Sequence, residues 1–283
     1  MPGKYSADRI RRFYDQYGAA EWGRFDRDAT SRVGLEIHKR FLRRWVRPGD
    51  RVLEAGAGPG RFTIELAGLG ARILVGDLSP RQLALNREHV IAAGCDAAVE
   101  AREVLDIVDL SHFRPDSFDV VTAYGGPLSY VFERAGDAIT ELLRVVRPEG
   151  LVLFSVMSRW GSLHQFLDGV VDEVDGKLGQ DLRALAETGD QLGEAARSTM
   201  IDLPHEVHLF TWRELQEMLA PRQGRVCDVS ASNFLSIRGD AALADITEAA
   251  WERFLDWEEG ACREPGAIDA GTHILVAIEK TVG

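Results

Sequence analysis

The sequence predicts an α/β fold, a mostly parallel seven-stranded sheet with helices on both faces, and two observations near its first third carry that expectation. The run Val52-Leu53-Glu54-Ala55 reads as a short buried strand that enters Gly56-Ala57-Gly58-Pro59-Gly60, a turn with glycine at every second position, and helix-compatible residues follow from Arg61 to Leu69. The next apolar run, Ala71 to Gly76, closes on a carboxylate, Asp77. A strand, a glycine turn, a helix and a second strand ending in an acid form one half of a nucleoside-binding α/β unit.

The elements follow in order. Residues 1–47 precede the first strand and read as a helical lid, in which Tyr14, Tyr17 and Trp22 are candidates to line a substrate site. The glycine turn is G-x-G-x-G, not the G-x-G-x-x-G that sets a helix N-terminus against a pyrophosphate. Glu54, two residues before it, would repel a pyrophosphate and suits a ligand with a cationic amino-acid tail. Gly56 to Gly60 with Glu54 resembles motif I of the class I S-adenosylmethionine-dependent methyltransferases, written E/D-x-G-x-G-x-G, and the chain is similar to the small-molecule, type 11/25-like group.

Further segments extend the resemblance in register. Asp77 in Gly76-Asp77-Leu78-Ser79 matches the acidic residue that accepts hydrogen bonds from the ribose hydroxyls. Asp106 in Glu103-Val104-Leu105-Asp106-Ile107 matches the aspartate that takes the adenine amino group. Ser117 to Ala123 resembles the fourth strand, with Tyr124-Gly125-Gly126-Pro127 as the loop at its end. Leu142 to Gly150 is similar to L-x-R-V-L-k-P-G-G, with Glu149 in place of the first glycine, and Leu151 to Met157 is the fifth strand. The resemblance implies a Rossmann-like sheet and S-adenosylmethionine as cofactor, leaving as S-adenosylhomocysteine. It implies a cofactor site of Glu54, Gly56, Ala57, Gly58, Gly60, Asp77, Leu78, Asp106 and Tyr124. All of these follow strands, at the sheet edge where open α/β folds hold their ligands.

After the fifth strand the pattern turns helical, with helices over His164 to Val174 and Asp181 to Ala196, a cap insertion of about residues 158–210 in a methyltransferase domain spanning 48–283. Thr211 and Glu214 form a capping-box pattern ahead of the next helix. Arg225 to Ser230 and His273 to Glu279 are the last two strands, a partly antiparallel end of the sheet.

Charge and composition bound the function. Net charge is −12, which disfavours a nucleic-acid substrate, although residues 1–50 hold 12 Lys/Arg against 7 Asp/Glu. The insertion is acidic, from Asp168 and Asp172 to Asp181, a pattern that fits a solvated helix face better than a cationic substrate. Cys95, Cys227 and Cys262 are scattered, no metal motif stands out, and no apolar run approaches membrane-spanning length. A cytoplasmic protein acting on a small molecule, without nucleic-acid or membrane partners, is expected.

Methyl transfer from a sulfonium depends mainly on alignment, and a general base is needed only where the nucleophile carries a proton. His205 and His208, where the insertion returns to the sheet, are the candidate bases for an O or N acceptor. Two alternatives stay open: an NAD-dependent oxidoreductase, disfavoured by the glycine spacing, and a non-catalytic S-adenosylmethionine-binding protein.

Overall fold

The computed structural model describes residues 4–175, 181–192 and 206–282. Three helices come first: α1 (Ala7–Tyr17), α2 (Ala20–Gly23) and α3 (Ala29–Trp45). The central unit is β1 (Arg51–Ala55), α4 (Arg61–Gly68), β2 (Arg72–Asp77), α5 (Pro80–Ala92), β3 (Val99–Val104), β4 (Phe118–Ala123), α6 (Ala135–Val145) and β5 (Val146–Met157). The insertion holds α7 (Arg159–Gln165), α8 (Leu167–Val174), α9 (Asp181–Thr188) and the short strands β6 (Asp190–Gln191) and β7 (Val207–His208). The chain then runs through α10 (Trp212–Leu219), β8 (Gly224–Ser232), α11 (Asp240–Leu243), α12 (Glu248–Cys262) and β9 (His273–Lys280).

Seven strands form one sheet in the order β3-β2-β1-β4-β5-β9-β8. The first five are mutually parallel, and β9 runs antiparallel to both β5 and β8. The winding reverses between β1 and β4, so the crevice for a ligand opens beyond the carboxyl ends of β1, β2 and β4. Two cores cover the two faces. One packs α6 and α10 onto the sheet through Ile139, Leu142 and Leu215; the other packs α3 and α4 through Phe41, Leu42, Phe62 and Leu66. The central strands are apolar on both faces, as strands buried twice must be.

The helix predicted over His164 to Val174 is two helices, broken at Phe166, whose ψ of 35° leaves the helical range. The helix predicted from Asp181 ends at Thr188 because Gly189 takes φ +83° and passes close to the Leu209 carbonyl, where a Cβ would collide. β5 begins at Val146, five residues early, and the early part bends through Glu149 at φ +61°. Glutamate therefore occupies a left-handed position that favours glycine. On α12, Trp251 and Phe254 pack half-buried on α3, and Trp257 is exposed. Among the described residues, no helix is long and apolar enough to cross a membrane.

Candidate active site

The glycine turn after β1 is shaped by two positions. Gly56 has φ +81°, and a Cβ there would lie 2.5 Å from Pro127 Cγ in the loop after β4. Gly58 has φ +54° and faces open space, so a Cβ would fill the crevice instead of striking protein. Asp77, at the end of β2, binds this turn: its Oδ2 accepts from Gly58 N at 2.8 Å and its Oδ1 from Ser79 N at 2.9 Å. Burial pushes the Asp77 carboxyl up to about 6, against the pull of those two amides. Gly56, Ala57, Gly58, Asp77, Leu78 and Tyr124 all line one cleft of about 810 Å³, part of it open to solvent. Gly60 stands just behind it as the left-handed N-cap of α4.

Glu54 and Asp106 stand off the wall of this cleft. Glu54 is buried under the turn, where its Oε2 accepts from Thr63 Oγ1 at 2.6 Å and Asn86 Nδ2 donates to the same Thr63 oxygen at 2.7 Å. Burial drives its carboxyl up to about 8. Glu54 braces α4 against β1 and presents no charge to the cleft. Besides Asp77, the carboxylate on the wall is Glu21 of α2, paired with Arg24 at 2.8 Å. Asp106 accepts from Tyr5 Oη at 2.6 Å and from Val108 N at 3.0 Å, while its neighbours Leu105 and Ile107 line the wall.

His208 corrects an expectation. Its Nδ1 donates to Asp190 Oδ1 at 2.8 Å and its Nε2 to Glu214 Oε1 at 2.7 Å. Burial alone would depress its pKa, but the two carboxylates raise it overall, so both nitrogens carry protons and neither can accept one. The imidazolium ties β7 to β6 and α10, and it lines neither lobe of the cleft described here. Glu214 thereby spends its carboxylate on His208 and Arg159, so the capping box at Thr211 is half made: Thr211 Oγ1 accepts from Glu214 N at 3.2 Å. His205 lies outside the described residues.

The N-terminal segment expected to be a lid docks on α5 and contributes to the cleft wall. Gln82 Nε2 donates to the carbonyls of Tyr14 and Gly18, and Ser79 Oγ donates to Asp15 at 2.6 Å, which docks α1 on α5. Lys4 pairs with Asp190, and Arg9 with Glu206 at 2.7 Å, so the lid also meets the insertion. Tyr14 lines the cleft. Trp22 does not: it stacks on His89 at 3.7 Å and takes Arg61 over its face at 3.9 Å.

Comparison with known proteins agrees with this frame. A family described as "Methyltransferase domain" matches residues 52–150. The demethylmenaquinone methyltransferase of Clavibacter sepedonicus is 37% identical over 110 residues, 39% of this chain and 42% of that protein. The ubiquinone biosynthesis O-methyltransferase of Burkholderia vietnamiensis is 32% identical over 123 residues, 44% of this chain and 50% of that protein. Residues 52–150 form a class I methyltransferase domain. The matches span half or less of these curated relatives. Among solved structures, magnesium protoporphyrin IX methyltransferase from Synechocystis, with bound S-adenosylhomocysteine, superposes with TM-score 0.62 at 14% identity, over 98% of this chain and 100% of that one. The cyclase SpnF superposes with TM-score 0.63 at 15% identity, over 98% of each chain. Likeness at that identity concerns the fold.

Outside the methyltransferase domain the cleft continues into a second lobe of about 1030 Å³, also partly open. Tyr14, Glu21, Arg24, Phe25 and Tyr130 line both lobes, and Tyr17, Phe166 and Met157 belong to the second. Arg24 is half-buried, which works against its charge, yet Glu21 and the surrounding tyrosines hold its pKa up. Two histidines that the sequence reading passed over, His38 of α3 and His273 of β9, lie on this wall with ring centroids 5.2 Å apart. No spacing signal joins them, being 235 positions apart in the chain. Of the acidic residues in the insertion, Asp168 pairs with Arg238 at 3.1 Å and stays off both walls.

Proposed function

We propose that this chain is an S-adenosylmethionine-dependent methyltransferase acting on an O or N atom of a small molecule. The observation that carries the proposal is the Gly58–Asp77 cradle, an open left-handed glycine beside a buried carboxylate at the switch point of the sheet. The residues present fit the cofactor. Asp77 would accept the ribose hydroxyls, Leu105 and Ile107 would flank the adenine, and the Glu21–Arg24 pair supplies opposite charges for a zwitterionic amino-acid tail. The cofactor supplies a methyl group on a sulfonium, which leaves as a neutral thioether.

The protein's own contribution is placement. The lid closes the cleft over the junction of the two lobes, where Tyr14 and Tyr130 meet edge to face at 5.7 Å. Alignment of two bound reactants in a water-poor junction is worth up to about 7–11 kcal/mol in well-oriented systems. A net charge of −12 favours a small acceptor over a polyanion. The superposition on a cyclase is a reason to test turnover as well as binding, since one fold hosts many chemistries. Calorimetry should show one S-adenosylhomocysteine bound per chain and no heat with NAD. Binding of NAD in its place would overturn the reading. Incubation with S-adenosylmethionine and mixed phenols and amines should yield S-adenosylhomocysteine by mass spectrometry; tight binding without turnover would leave only a cofactor-binding protein.

A further inference from the structure

The second lobe carries two histidines, the buried His38 and the half-buried His273, whose proton positions follow from their partners. His38 Nδ1 lies 2.7 Å from the Gly34 carbonyl, one turn back on α3. A carbonyl only accepts, so Nδ1 holds the hydrogen. Burial, aided by the Arg24 charge, lowers the His38 pKa to about 4, so the ring is neutral and Nε2 is a bare lone pair. That Nε2 is buried and has no partner among the described residues. Buried polar atoms without partners are rare and call for an explanation.

His273 reaches the same tautomer through a longer relay. Asn233 Nδ2 donates to the Thr30 carbonyl at 2.6 Å, which leaves Asn233 Oδ1 as an acceptor. Thr272 Oγ1 donates to that oxygen at 2.8 Å, and having one hydrogen it must accept from His273 Nδ1 at 3.1 Å. His273 is therefore also a neutral Nδ1–H ring, and burial with His38 and Arg24 nearby lowers its pKa further. The ring of His38 is packed by Phe62, Tyr124 and His273 at 5.8, 5.6 and 5.2 Å, and the charged group near both histidines is Arg24.

We propose that His38 and His273 form the acceptor-recognition site of the second lobe, which takes an uncharged planar hydroxyl compound of the phenol or enol class, and that His38 Nε2 accepts the hydroxyl proton. This rests on the methyltransferase reading. The bare Nε2 of His38 demands a hydrogen-bond donor and disfavours a carboxylate, which could only place acceptor against acceptor. Half-buried Arg24 disfavours an ammonium. Tyr14, Tyr17, Phe25 and Phe166 supply flat aromatic walls. As the O–H proton moves to His38 Nε2, the oxygen keeps the bonding pair and would bond to the methyl carbon as the carbon–sulfur bond breaks with its pair going to sulfur, which gives a neutral ether and a neutral thioether. The imidazolium, disfavoured by burial beside Arg24, returns its proton to water when the lid opens. His38 is thus a catalytic residue and His273 a positioning one.

The photoacid 2-naphthol tests the pair, because its excited-state proton needs an acceptor at the hydroxyl; emission of the bound naphthol is read after subtracting that of free naphthol, which passes its proton to water. The full chain is first saturated with S-adenosylhomocysteine, followed by calorimetry. The naphthol should then bind once per chain and emit as naphtholate. In H38Q the amide oxygen still accepts a hydrogen bond but not a proton, so binding should stay within about threefold while the naphtholate band disappears. In H38F binding should weaken by about tenfold or more, with S-adenosylhomocysteine affinity unchanged as proof of folding. Full naphtholate emission from H38Q, unweakened binding by H38F, or no naphthol bound to the loaded wild type would each overturn the proposal. Failure of S-adenosylhomocysteine to bind the wild type would instead bring down the methyltransferase reading beneath it.

Discussion

The two lobes of the cleft are built in opposite ways. The first is assembled from consecutive strand ends, Gly56 to Gly58 after β1, Asp77 closing β2 and Tyr124 after β4, so its residues appear in the chain in the order the sheet winds. The second gathers Tyr17, His38, Phe166, Asn233 and His273 from the lid, α3, the insertion and the antiparallel end of the sheet. A strand-end site is determined by backbone geometry that many sequences share, and it can be read from local spacing. A site made by packing distant elements has no spacing to read, and its chemistry can change without disturbing the sheet.

The largest effect should come from Asp77, the polar anchor of the readable lobe. D77N should weaken S-adenosylhomocysteine binding by about 30- to 100-fold, the loss expected when a charged acceptor becomes a neutral one. Because burial lifts Asp77 to about 6, wild-type affinity should rise between about pH 5 and pH 7.5 as the carboxylate ionises, and D77N should be flat over that range. An equal pH rise in D77N would assign the titration elsewhere and break the contrast between the lobes.

Next is His208, which holds together the frame of the second lobe without touching it. Its folded pKa is raised, so its stabilisation is fully present below the unfolded value of about 6.5 and is lost as pH climbs through the folded one. H208Q should therefore unfold at lower urea by about 2 kcal/mol in mild acid, and the gap should narrow in alkaline buffer. A gap that widens with pH would mean a neutral ring and would restore His208 as a possible base.

Tyr5 gives a smaller and sharper test, because it holds Asp106, which like Glu54 stands off the cleft. Y5F removes the bond to Asp106 and should cost about 1 kcal/mol of lid docking, read as faster amide exchange in α1. If Asp106 turns to the adenine when ligand binds, Y5F should tighten S-adenosylhomocysteine binding; if Asp106 serves the lid, the affinity should stay the same or fall. The smallest effect lies at Glu149. E149G should stabilise the fold by about 0.5–1 kcal/mol in urea unfolding, since φ +61° is strained for any residue with a Cβ.

What local pattern determines was legible. Glycine at 56, 58 and 60 and an acid ending the next apolar run require a turn that no other residues make as easily, and that alone sets the strand, the switch point and the carboxylate Asp77. The glutamate at 149 was visible as a departure, and the structure shows its consequence as strain. Where a side chain points was not legible. Glu54 stands in the motif yet turns inward to Thr63, and Asp106 turns to Tyr5, because each found a hydroxyl partner contributed by another element. The same holds for the histidines. Asp190 and Glu214 close on both nitrogens of His208, the candidate base, whereas packing leaves the Nε2 of His38 buried and bare. Backbone conformation is a property of neighbouring residues, so the sequence by itself determined the sheet and its cofactor edge. Protonation and hydrogen-bond partnership are set by groups that meet only on folding, so the tertiary structure alone decided which histidine nitrogens are paired and which is left bare.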